Sequence, residues 1–170
     1  YGLAARVHAQ GGVVSLDPNL RPELLPVEQI RAVCQPILDL ATIVFPSGPE
    51  LATLSGVDDA DAGARSLLER GVEIVALKRG EQGSTIYTRQ EVMQAAPYRV
   101  TEVDPTGAGD CFDAAFLVGL SRGWPLPQVA RFANAVGALA TTRLGPMEGT
   151  FSLEEVAAFM AERGRPLEEE

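Results

Sequence analysis

Asp104-Pro105-Thr106-Gly107-Ala108-Gly109-Asp110 runs without a break into Cys111-Phe112-Asp113-Ala114-Ala115-Phe116. An extended stretch, a loop of small residues and an apolar helical pattern follow one another here. That succession reads as a strand-to-helix passage of an α/β fold. The small residues let backbone N–H groups at the helix start approach an anion closely. The helix dipole adds favourable potential for negative charge there. Gly107, Ala108 and Gly109 thus read as an anion hole for a transferring phosphoryl group. Asp110, in the first turn, reads as the base that accepts a hydrogen bond from a substrate hydroxyl. Phosphoryl transfer needs mainly positioning and charge stabilisation, so a weakly basic carboxylate suffices. A bare Gly-x-Gly-Asp would equally make a tight loop and a helix cap. The whole string, its place after an extended stretch and the small-residue helix behind it favour the chemical reading.

Working outward, short apolar runs alternate with helical patterns. Leu3 to Gln10 reads as the end of a helix closed by Gly11-Gly12. Val13-Val14-Ser15-Leu16 reads as a strand, stopped by Asp17-Pro18-Asn19. Pro22 to Leu40 reads as helix, with a break near Pro36. Thr42 to Phe45 is a second strand. A short helix follows at Glu50–Ser55 and a longer one over Asp58–Arg70, acidic at its start with Gly71 behind it. Glu73 to Lys78 is a third strand. Gly80 and Gly83 bracket a turn into Ser84–Tyr87, which pairs as a hairpin. Val92 to Val103 holds another extended stretch. Helices are expected over Gly107–Arg122, Pro125–Arg143 and Phe151–Arg163, the last with Ser152 as N-cap. Residues 164–170 read as a charged, frayed tail.

This alternation predicts an α/β domain with a mostly parallel sheet. Ligands of such sheets bind beyond the carboxyl ends of the strands. The distinctive polar residues fall at those exits: Asp17-Pro18-Asn19, Pro46-Ser47-Gly48, Lys78-Arg79-Gly80 and Asp104 to Asp110. A dinucleotide-binding Gly-x-Gly-x-x-Gly turn after the first strand is absent, as is a Gly-x-x-x-x-Gly-Lys-Ser/Thr string.

The 170 residues carry a net charge of −9. That argues against nucleic acid or an anionic membrane as partner, since both want a broad basic surface. A phosphate held by helix-start amides and a local cation remains compatible. No apolar run is long enough to span a bilayer. No stretch reads as a signal peptide, so a reducing cytoplasm is the expected compartment. Cys34 and Cys111 lie far apart without a metal-binding pattern and read as buried free thiols. The sole histidine, His8, supports no catalytic triad. Trp124 reads as packing a helix corner. Asp58, Asp59 and Asp61 read as helix-start and surface acids.

The stretch Asp104 to Asp110 resembles the C-terminal signature of the PfkB/ribokinase family of carbohydrate kinases. Asp17-Pro18-Asn19-Leu20-Arg21-Pro22 resembles a segment of its fructokinase and 2-keto-3-deoxygluconate kinase branch. Val72 to Gly83 resembles the nucleotide-side hairpin. Arg131-Phe132-Ala133-Asn134-Ala135 resembles the helix lining the adenine pocket. The resemblance implies a ribokinase-like three-layer α/β/α fold and ATP-dependent phosphorylation of a sugar or sugar-acid hydroxyl. It places Lys78, Gly80 and Gly83 near the ATP phosphates and Asn134 near the adenine. Asp104 and Thr106, with carbonyls near Thr141 and Leu144, match positions for a monovalent cation such as K+. Glu50 matches the acid of an Asn-x-x-Glu motif that organises Mg2+ through water, although Ser47 stands where the Asn usually is. Arg21 is assigned to a phosphate or an acidic sugar.

Family members are close to twice this length. Residues 1–163 are therefore expected to be the C-terminal, nucleotide-binding part, with the N-terminal half and β-lid absent. Open sheet edge in such a half favours self-association as a homodimer. A non-catalytic nucleotide-binding module is the alternative, motivated by the missing sugar half.

Overall fold

The computed structural model describes residues 1–21, 23–146 and 150–168. Pro22, the expected start of the second helix, and Glu169–Glu170 of the tail lie outside that range. Among the described residues five strands form one sheet in sequence order: β1 (Ser15–Leu16), β2 (Ile43–Val44), β3 (Ile74–Lys78), β4 (Ser84–Tyr87) and β5 (Val92–Ala95). β1, β2 and β3 are parallel, with Ser15 opposite Ile43 and Ile43 opposite Ile74. The connections β3–β4 and β4–β5 are too short for a crossover, so β4 runs against both neighbours. Four strands therefore share one direction and the sheet is mixed, mostly parallel.

Among the described residues the α-helices are α1 (Gly2–Ala9), α2 (Val27–Leu38), α3 (Gly48–Ser55), α4 (Ala60–Glu69), α5 (Ala108–Ser121), α6 (Leu126–Ala140) and α7 (Leu153–Glu162). The chain divides into two compact units. Tyr1–Arg79 with Thr85–Met93 form the first; Gly80–Ser84 with Gln94–Glu170 form the second. The sheet falls mostly in the first unit, with α1 to α4; α5 to α7 belong to the second.

The first unit is built on Val44, Leu51, Leu67, Val75, Leu77 and Tyr87, all essentially inaccessible to solvent. Burying each such aliphatic side chain stabilises by about 1.5–3 kcal/mol. Tyr87 carries a hydroxyl into that core. It donates to Asp61 at 2.6 Å, and Arg79 donates to it at 3.3 Å. Asp61, expected as a surface acid, thus satisfies a buried phenol. In the second unit α5 packs on α6 and α6 on α7, around Phe116, Val129, Ala133 and Met160. Trp124 meets Phe132 edge-on at 5.2 Å, at the turn between α5 and α6 as expected.

Local chemistry explains where the elements begin and end. Ser152 accepts from the N–H of Glu155 while the Glu155 carboxylate accepts from the N–H of Ser152, a reciprocal capping box that fixes the start of α7. Asp59 caps α4 by accepting from the N–H of Ala62. Several expectations change, among them β2, which keeps only Ile43–Val44 of Thr42–Phe45, and α2, which starts at Val27, later than expected. β1 is shorter than Val13–Leu16, because the N–H of Val14 donates to the Thr42 hydroxyl instead of a ladder carbonyl. α2 does not break at Pro36. Pro36 forfeits one hydrogen bond, but the helix ends two residues later.

The tail also differs from a frayed end. Arg165 donates to the carbonyl of Pro97 at 3.2 Å. Glu168 accepts from Arg131 at 2.8 Å, and its carbonyl accepts from Gln128. Residues 164–168 are docked on the second unit.

Candidate active site

In the second unit, Gly107 caps α5 with φ +81°. A Cβ there would stand 3.0 Å from Pro146, so both conformation and space demand glycine. The N–H of Ala108 donates to the carbonyl of Pro105, and that of Cys111 to Gly107. Among the described residues, no acceptor faces the N–H of Gly107, Gly109 or Asp110. The expected set of open amides is thereby shifted: Ala108 closes the loop and the amide of Asp110 joins the glycines. Asp110 is exposed and lies in the first turn of α5. Gly137 of α6 lets that helix approach the start of α5, where its Cβ would lie 3.4 Å from the carbonyl of Ala108.

Asp104 anchors the loop. One carboxylate oxygen accepts from the N–H of Thr106 at 2.9 Å, the other from that of Gly145 at 2.8 Å. The Thr106 and Gly145 hydrogen bonds hold its pKa below the usual carboxylate value. The Thr141 carbonyl accepts from the N–H of Val103 and of Asp104. Asp104, Thr106 and Thr141 are therefore brought together, as expected, and already serve as a clasp. Leu144 is largely exposed. The Cys111 thiol is pushed up by burial and then by the Asp110 charge, and burial does the same at Cys34. Both cysteines are thus held as thiols, the opposite of activation by a helix start.

Asn134 and Gly83 converge on one carbonyl. Asn134, buried in α6, donates to Ala95 at 3.0 Å and to Ala96 at 3.3 Å. Gly83, at φ +84°, approaches so closely that a Cβ would fall 2.2 Å from the same Ala95 oxygen. The structure gives both residues a task at the end of β5. At Gly80, φ is +54° and the space beside it is open.

In the first unit, the strand-exit residues tie loops together. Lys78 meets Asp17 at 3.0 Å. The other Asp17 oxygen accepts from the N–H of Asn19, which sits at φ +39°. Glu50 accepts from the N–H of Leu20 with one oxygen and from the N–H and hydroxyl of Ser47 with the other. It joins the exit of β1 to the start of α3. Arg21 is exposed and donates to the carbonyl of Leu20 at 3.1 Å. The ion pair of Asp17 with Lys78 escaped the sequence reading, because sixty-one positions separate the partners. Asp113 escaped it too: it is a buried acid, and its signal was a charge within an otherwise apolar helix.

Among the described residues, no three His, Cys, Asp or Glu side chains gather to hold a metal ion. No helix among them is long and apolar enough to cross a membrane.

The sequence profile of pfkB family carbohydrate kinase matches residues 1–152. A probable fructokinase-4 of Arabidopsis thaliana is 34% identical over 159 residues, which are 88% of this chain and 49% of the relative. An E. coli protein titled "putative Ribokinase II", solved with ATP and Mg2+, is 42% identical with a TM-score of 0.89, over 94% of this chain and 52% of that one. A fructokinase of Vibrio cholerae O395, solved with fructose, ADP and a calcium ion, is 29% identical with a TM-score of 0.84, over 93% and 54%. The chain spans about half the length of these proteins, and its fold is ribokinase-like. With the glycine-capped helix start and Asp110 in its first turn, the match over residues 1–152 means that the chain belongs to the pfkB family of carbohydrate kinases.

Proposed function

We propose that this chain is the nucleotide-binding part of a cytoplasmic kinase that transfers the γ-phosphoryl group of ATP to a hydroxyl of a sugar or sugar acid. The observation that carries the reading is the start of α5: an exposed carboxylate, Asp110, beside amides with no acceptor among the described residues. Asp110 accepts the proton of the attacking hydroxyl. The amides of Gly107 and Gly109, with that of Asp110 itself, stabilise charge on the transferring group where the helix dipole favours it. The fructose in the V. cholerae neighbour and the fructokinase names among the relatives support a ketose as acceptor. The 2-keto-3-deoxygluconate branch remains part of the proposal through Arg21.

Lys78 and Gly80 are proposed near the ATP phosphates. An ammonium has three donors, so pairing with Asp17 is compatible with a phosphate contact. Asn134 and Gly83 are proposed to shape the nucleotide site through the end of β5. Mg2+ binds few protein groups, keeping waters and phosphate oxygens. Glu50 fits an outer-sphere role of that kind, because its carboxylate carries three hydrogen bonds and has a lone pair left. The Asp104 carboxylate, Thr106 hydroxyl and Thr141 carbonyl are hard oxygen donors of the kind that suits K+. Bound Mg2+ would supply charge neutralisation between the phosphates.

The test is Asp110→Asn in the full-length protein. ADP release in the presence of a sugar panel should collapse while ATP binding by calorimetry persists; near-normal turnover would sink the assignment. A second reading, a non-catalytic nucleotide-binding module, is favoured by the half-length match. It predicts ATP binding with no sugar-dependent ADP release. Self-association as a homodimer belongs to the same proposal and is read by sedimentation.

A further inference from the structure

The second unit carries a groove of about 370 Å3 walled by Pro97, Tyr98, Arg99, Arg163 and Arg165. Three guanidinium groups line one groove in a protein of net charge −9. Arg165 is held by the carbonyls of Ala96 and Pro97 and lies 5.1 Å over the Tyr98 ring. Arg163 donates to the carbonyl of Phe159 and stacks on its ring at 3.7 Å, with Glu162 3.5 Å away. Arg99 is exposed, and no carboxylate stands within ion-pair distance of it among the described residues. Two of the three forks are thus preorientated and one is open to a ligand.

Buried polar atoms of the second unit lack a partner among the described residues. The Tyr98 hydroxyl is buried and has no hydrogen-bond partner among the described residues, while the Arg165 guanidinium lies over its ring. Arg131 Nε, also buried, has none either. Orphaned buried donors are few in folded proteins and call for a physical cause. Planar guanidinium forks match phosphate oxygens two at a time, and the volume lies in the range of small-molecule sites.

We propose that this groove binds a small phosphate-bearing anion, gripped by Arg99, Arg163 and Arg165 against the Pro97–Tyr98 wall. The site is independent of the start of α5. The test is amide chemical-shift titration of the chain with inorganic phosphate and, separately, with glycerol 3-phosphate. Sodium chloride of equal ionic strength is the control. Signals of Tyr98, Arg99 and Gly164 should move saturably, whereas those of Gly107 and Gly109 report any binding at α5. Arg99→Ala should weaken binding at the groove about tenfold, and Arg99→Lys should retain part of it. Tighter binding of the ester assigns the site to a phosphorylated metabolite; equal binding assigns it to free phosphate. Shifts reproduced by chloride, absent shifts at these three residues, or an unaltered affinity in Arg99→Ala would each overturn the proposal.

Discussion

In the first unit, Asp17 meets Lys78 and the two oxygens of Glu50 accept from Leu20 and Ser47. In the second, Asp110 stands exposed beside amides that have no acceptor among the described residues, six positions along the chain from an Asp104 whose two oxygens both accept hydrogen bonds. Both regions carry acids in loops that the sequence reads as strand exits, so the sequence alone makes them look alike, although β5 ends at Ala95, well before Asp104. The difference is where the hydrogen bonds go. An acid that bridges two loops holds backbone in place. An acid left open on a rigid helix start is free to take part in chemistry. Residue type therefore does not separate the two roles, whereas hydrogen-bond satisfaction does.

The contrast can be broken most decisively at Asp110. Asp110→Asn should lower kcat by about a thousandfold, the range of general-base catalysis. The melting temperature should change little, because the exposed carboxylate contributes only a small helix-dipole stabilisation. A large drop in stability would make Asp110 another loop tie. Next in size is Gly83→Ala, where a Cβ 2.2 Å from the Ala95 oxygen meets a left-handed φ. A loss of about 3 kcal/mol or more is expected in denaturant unfolding. Asn134→Ala should cost about 1–3 kcal/mol, removing the amide donor from the Ala95 carbonyl while Ala96 keeps Arg165. If it weakens ATP binding without touching stability, Asn134 contacts the nucleotide directly and the anchoring role fails.

The smallest effect concerns pH. Asp104 has its pKa depressed in the folded chain. Its contribution is therefore present above the unfolded carboxylate value, about 3.9, and lost as pH falls through the folded one. Asp104→Asn should be less stable than the parent near neutrality, and the gap should narrow in acid. A gap independent of pH would mean that the carboxylate charge does not matter to the clasp.

Much of this was written locally in the chain. The glycines at 107 and 109, the apolar runs of β2 and β3, and the Ser152–Glu155 pair specify helix starts and strands over a few residues. The start of α5 was legible for the same reason, since its loop, helix and carboxylate are contiguous. What the sequence concealed depends on distant partners. Glu50 read as a magnesium organiser, but the N–H of Leu20 arrives from thirty residues away. Asp61 is the exposed helix-start acid its position implied, but the hydrogen bond it takes from Tyr87 comes from twenty-six residues away. Asn134 is expected near the adenine by resemblance, and nothing local announces that its amide also donates to the end of β5. The tail read as frayed on composition, because nothing local announces that Glu168 will find Arg131.

That docked tail has a practical consequence. A trypsin-like protease must draw an arginine side chain into its own specificity pocket before it cuts. Arg163 is folded onto Phe159, and Arg165 lies against Tyr98 and precedes a proline. Cleavage after Arg163 therefore has to wait for the end of α7 to open. The rate of that single cut is a clock for local unfolding, and a bound anion in the neighbouring groove would slow it.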